Sequence, residues 1–87
     1  MIRNRFAGYG DKPPARNRFT KAKLPGSKWT AVHPQQGEKF FIVLGWVQYR
    51  PEEKPERLEI EAILTHKIYD IDYRELKDEW RWKIGWD

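Results

Sequence analysis

The chain has 87 residues, no cysteine, 17 lysines and arginines against 13 aspartates and glutamates, and a formal net charge of +4. That length holds one small domain, and the missing cysteines exclude a disulfide framework or a thiolate metal site as its support. Cohesion has to come from packing, above all of the five Trp, four Tyr and four Phe, since each aromatic ring buries about 150–250 Å².

The charge is unevenly spread. Residues 1–28 carry eight Lys or Arg against Asp11 alone, whereas residues 29–87 carry nine against twelve acids. Residues 1–23 lack hydrophobic periodicity and are interrupted by Gly8, Gly10, Pro13 and Pro14. They read as a flexible, disordered basic arm, unable to bury enough apolar surface to offset its ordering entropy. Arg3, Arg5, Arg16, Arg18, Lys21 and Lys23 form its candidate polyanion-binding set, with Phe6, Tyr9 and Phe19 available for stacking. The tetrapeptide Arg-Asn-Arg-Phe occurs twice, at residues 3–6 and 16–19. Removing the arm is expected to leave the unfolding midpoint of the remainder unchanged. The N-terminus has no apolar stretch after its arginines and no serine before Ser27, so neither a secretory signal nor an organelle transit peptide is expected. The longest apolar run, Phe40 to Val47, is too short to span a bilayer. A cytoplasmic protein with no membrane partner is the resulting expectation.

From Leu24 the pattern changes, and residues 24–87 read as a domain. Pro25-Gly26 is a turn centre, in which proline presets φ and glycine takes the positive φ of a type II turn. Lys28 to His33 reads as a strand, residues 34–37 as a four-residue loop, and Glu38 to Tyr49 as a long second strand, where Gly45 marks a bulge or bend. A charged loop bounded by Pro51 and Pro55 follows. Leu58, Ile60, Ala62 and Leu64 then alternate with Arg57, Glu59 and Glu61, the period of two of a strand with one wet face. The next strand, His66 to Tyr73, sets Tyr69, Ile71 and Tyr73 on one face and Asp70 and Asp72 on the other. Residues 74–78 are too few for a stable helix and suit one helical turn. In the closing segment Trp80, Trp82, Ile84 and Trp86 alternate with Glu79, Arg81, Lys83 and Gly85. The whole predicts an all-β fold: a small SH3-like five-stranded antiparallel barrel, with one short helical turn before the last strand and the basic arm in front. An open meander sheet is the structural alternative.

Three stretches, residues 23–41, residues 59–78 and the closing Trp…Gly-Trp, resemble a family of small tryptophan-rich proteins of bacteria and photosynthetic lineages. The resemblance covers residues 23–87 and lies chiefly in Ser27-Lys-Trp-Thr-Ala-Val32 and in Arg74-Glu-Leu-Lys-Asp78 with the tryptophans after it. It implies no activity, substrate or catalytic residue. The family pattern has a tryptophan near Tyr73, where this chain has tyrosine.

An interior built from about 60 residues cannot hold every ring, so at least one of Trp46, Trp80 and Trp86 is expected to stand more than a third exposed. Those three and Tyr49 are the candidate binding surface, because exposed indoles anchor partner side chains, cations or bases. Trp82 is expected in the core. His33 and His66 have no second ligand at metal spacing, and Asp70 with Asp72 reads as a wet strand face. No phosphate-cradling loop or nucleophile motif appears. The reading is thus a non-catalytic protein-interaction module with no cofactor and no metal, its partner another protein. Nucleic-acid binding, RNA or DNA, through the arm is the alternative, disfavoured by the acidic balance of residues 29–87.

Overall fold

The computed structural model describes residues 16–48, 50–52 and 54–86. Its core is one five-stranded antiparallel sheet: β1 (Lys28–Gln35), β2 (Glu38–Val47), β3 (Arg57–Ala62), β4 (Ile68–Asp72) and β5 (Trp82–Ile84). Their order across the sheet is β4-β3-β2-β1-β5. Short 3₁₀ turns occupy Lys21–Lys23 and Tyr73–Lys77.

Local chemistry explains each boundary. Gly26 adopts φ 81°, the positive value expected of it, and the Pro25-Gly26 turn leads into β1. The β1–β2 connection is tighter than the expected four-residue loop. Strand β1 continues through Pro34 to Gln35, and only Gln36 (φ 56°) and Gly37 (φ 76°) form the turn, two consecutive positive φ values as a type I′ hairpin requires. Proline is tolerated in β1 because Pro34 lies where the β1–β2 register shifts, beyond the stretch paired with β5. The bulge expected at Gly45 is present as a register shift between Val43 and Gly45. The turn before β5 is as short as expected; Asp72 caps it by accepting from the Arg74 backbone N–H at 2.8 Å.

The period-two pattern sends Leu58, Ile60 and Ala62 inward, where they meet Phe41, Val43, Trp29, Leu24, Leu76 and Trp82 as the buried core. Trp82 retains 9% of its exposure, as a core position demands. Tyr69 and Ile71 share this face and Asp70 the other, as the alternation predicted.

Two features bear on the expected architecture. The expected barrel does not close: β4 and β5 end the sheet, with no ladder between them among the described residues. On β5, the backbone N–H of Trp82 donates to the Asp78 carbonyl and its carbonyl accepts from the Asn17 side chain. On β4, the carbonyl of Asp70 takes Arg57 Nη2 at 3.0 Å and its carboxylate takes Arg57 Nε at 2.6 Å.

The second concerns the arm. Residues 1–15, with Arg3 and Arg5, lie outside the described residues, but Arg16, Asn17, Phe19 and Lys21 contact the rest of the fold. Arg16 bridges Asp78, the Asn17 N–H donates to the Lys77 carbonyl at 2.8 Å, and Phe19 meets Trp29 edge to face at 5.8 Å. An Asn amide and one ring, each matched to a tertiary partner, order a stretch that shows no periodicity of its own.

Candidate functional site

A cleft of about 400 Å³ opens on the core-facing side of the sheet. Its walls come from both edge strands: Tyr69 and Ile71 from β4, Trp82 from β5, with Arg81 just before it. Phe41 and Ile60 lie between them, His33 and Gln35 extend the wall along β1, and Glu75 enters from the 3₁₀ turn. Phe41 stands at the centre, with Trp82 edge-on at 5.1 Å and Tyr69 tilted at 6.3 Å.

Glu38 is the unusual member. It opens β2 yet is only 7% exposed and lines the cleft. One carboxylate oxygen accepts from Thr65 Oγ1 and the other from Tyr69 Oη at 2.6 Å. These two hydroxyls hold the Glu38 carboxyl below its ordinary range, against the opposing effect of burial. The same bond raises the Tyr69 phenol above its ordinary value. Among the described residues no cation lies within ion-pair distance of Glu38. Arg81 at the rim leans on Glu75, at 3.5 Å. The indole N–H of Trp82, though buried, has no hydrogen-bond partner among the described residues; buried donors are seldom left so.

The tryptophans expected to form a binding surface are not brought together. Trp46 is half-buried against Tyr73 at 5.6 Å, with the Lys21 ammonium over both rings at 5.2 and 4.7 Å. Trp80 is 51% exposed, in the turn before β5 rather than on the strand. Trp86 is 45% exposed and lies on the opposite side of the sheet, beside Phe40, with Lys28 over its ring at 4.7 Å and its indole N–H on the Phe41 carbonyl. Gly85, at φ 87°, breaks the alternation and sends Trp86 there. Two of the three rings are thus well exposed, as crowding required. Tyr49 lies outside the described residues, and none of Trp46, Trp80 and Trp86 lines the cleft.

The four described arm cations, Arg16, Arg18, Lys21 and Lys23, are all exposed. Lys77 stands 5.7 Å from the Tyr73 ring, and Arg74 at 5.2 Å is tied to Glu56 and Asp72. That ion-paired cluster lowers Asp72 and raises Arg74 from their ordinary values. His66 contacts Glu61 at 2.8 Å on the surface. Among the described residues there is no cluster of His, Cys, Asp or Glu arranged to hold a metal ion, and no helix long and apolar enough to cross a membrane.

Sequence reasoning missed Glu38, Tyr69, Glu75 and Arg81 as neighbours. The alternation that put Tyr69 and Ile71 on the face of Leu58 and Ile60 was the usable signal for one wall.

These features define a class: a small all-β protein built on one open antiparallel sheet, with an aromatic-floored cleft between its edge strands. The chain belongs to the tryptophan-rich protein family DUF2389, whose family model matches residues 27–87. No curated protein and no solved structure matches it.

Proposed function

We propose that the protein is a non-catalytic interaction module that docks an extended segment of a partner protein in the cleft between β4 and β5. The sheet is then read as an SH3-like barrel left open, with the gap as its binding groove. The observation that carries this reading is the cleft itself. It has an apolar floor of Phe41, Ile60, Ile71 and Trp82 and a few polar groups at its margin, the composition by which concave sites bind and orient a ligand. An enzymatic reading has less support: Glu38 is the one buried carboxylate lining the cleft, and each of its oxygens is already taken by a hydroxyl, of Thr65 or of Tyr69.

Selection of a random-peptide library against the immobilised full chain tests the proposal. Recovered peptides should share a motif, and their addition should shift the NMR signals of Tyr69, Ile71 and the Trp82 indole. Peptides that shift only Trp80 or Trp86 would move the docking surface elsewhere, and failure to enrich any motif would remove the reading.

A second reading, nucleic-acid binding, draws on one observation. Lys21, Lys77 and Arg74 converge on Tyr73 beside the exposed Arg16, Arg18 and Lys23, an electrostatic footprint for phosphates. It ranks second because Lys21 already occupies the rings of Trp46 and Tyr73 on which bases would stack. Binding of single-stranded RNA or duplex DNA that falls steeply between about 50 and 200 mM salt would promote it.

A further inference from the structure

The charges lining the cleft narrow the chemistry of its occupant. A carboxylate taken out of water is costly unless it is paired and hydrogen-bonded, and Glu38 is more than nine-tenths buried. Thr65 and Tyr69 satisfy one hydrogen bond on each oxygen, yet a carboxylate has about four acceptor positions in all. Among the described residues no cation lies within ion-pair distance of it, and Arg81, which also lines the cleft, is turned to Glu75 at 3.5 Å. Around it stand the rings of Phe41, Tyr69 and Trp82, whose π faces attract cations.

We infer that the cleft is a receptor for a basic side chain, an arginine or lysine of the docked segment, whose cationic head pairs with Glu38 while its methylene stem lies against Phe41, Tyr69 and Trp82. This rests on the docking reading above and adds to it the identity of the anchor. Charge complementarity selects the occupant: Arg81 and Glu75 offset each other at the rim, which leaves Glu38 as the charge without a counter-ion; a hydrophobic anchor would cover it unpaired, and an acidic one would meet its like charge. A guanidinium suits the site better than an ammonium, since its planar fork of donors can reach the free lone pairs of Glu38 and stack on a ring at once.

The test uses the full chain and two blocked tripeptides, acetyl-Leu-Arg-Leu-amide and the same peptide with citrulline in place of arginine, which keeps the shape and removes the charge. Binding is followed by the amide signals of residues 60, 69 and 71 and by the Trp82 indole. The arginine peptide is expected to shift these signals and to bind at least about tenfold more tightly than the citrulline peptide. Glu38→Gln should erase most of that difference by weakening the arginine peptide alone. Equal affinity of the two peptides overturns the inference and leaves peptide docking standing; absence of shifts with either peptide overturns both. A charge preference that survives Glu38→Gln would take the anchor away from Glu38. Comparing the peptides on the unmodified protein needs no variant, so poor folding of Glu38→Gln would not spoil the test.

Discussion

The side-chain amide of Asn17 donates to the backbone carbonyl of Trp82 at 2.9 Å and to that of Leu76 at 2.8 Å. One residue thereby joins the segment before β1 to the 3₁₀ turn and to β5, the elements that carry Glu75 and Trp82 to the cleft. Asn17→Ala would leave two carbonyls in a partly buried setting without their donor. A loss of about 1–3 kcal/mol is expected, measured by urea unfolding with the slope unchanged.

Deleting residues 1–22 is expected to lower the unfolding midpoint, the reverse of what a free arm would give. Phe19, Asn17 and the Arg16 bridge all leave with the deletion, and Trp29 loses its edge-on ring partner. Thermal unfolding of full-length and truncated chains at equal concentration decides the matter. Coincident curves would mean that the packing of residues 16–23 contributes nothing to stability.

Trp82 and the hairpin turn separate two kinds of sensitivity. Trp82→Ala removes a core ring that touches Phe41 and should cost about 3–5 kcal/mol, visible as a large fall in denaturant midpoint. Gly37→Ala changes no packing to speak of, since a Cβ there would sit 3.5 Å from a Leu64 methyl, an ordinary contact. Its cost comes from φ 76° and is expected at about 1–2 kcal/mol. Gln36→Gly, by relieving φ 56°, should act in the opposite direction.

The pH dependence follows from the Glu38–Tyr69 hydrogen bond. Glu38 is held below its ordinary value of 4.5, so its contribution to stability is complete above that value and is lost as pH falls through the lowered one. Tyr69 is held above its ordinary value of 10.0; its contribution is complete below 10.0 and disappears as pH rises through the higher one. Tyr69→Phe should raise the Glu38 pKa toward 4.5 and flatten the alkaline loss. Carboxyl-carbon NMR titration reads the first effect, and equilibrium unfolding between neutral and alkaline pH reads the second.

Much of the sheet was legible in the chain because its causes are local. Leu58, Ile60 and Ala62 alternate, Gly45 permits a bulge, and Pro25-Gly26 makes a turn. The end of the chain was misread for an equally physical reason. Alternation assumes an unbroken strand, but residues 79–81 form a turn and Gly85 takes a positive φ, so Trp80 and Trp86 leave the face that Trp82 keeps. The cleft was less legible still. Glu38 looks like an ordinary solvated acid at the start of a strand, and what turns it inward are hydroxyls 27 and 31 positions away. The Asn17 contact with β5 was hidden for the same reason, since it spans 65 positions.

The ladder that holds β5 has a kinetic consequence. Every other ladder joins strands that follow one another in the chain, whereas β5 pairs with β1, and the Thr30 hydroxyl that fastens it to the Gly85 carbonyl reaches across 55 positions. Such a pairing bears the largest loop-closure entropy in the sheet, and only three residues of strand repay it. It should form last and come away first, in local openings that leave β2 and β3 intact. Amide exchange at Val32 and Gly85, whose N–H groups bond across this ladder, would then run ahead of global unfolding. A wall of the cleft would thereby be the part of the molecule that breathes, and the rate of that breathing would bound how fast an occupant enters or leaves.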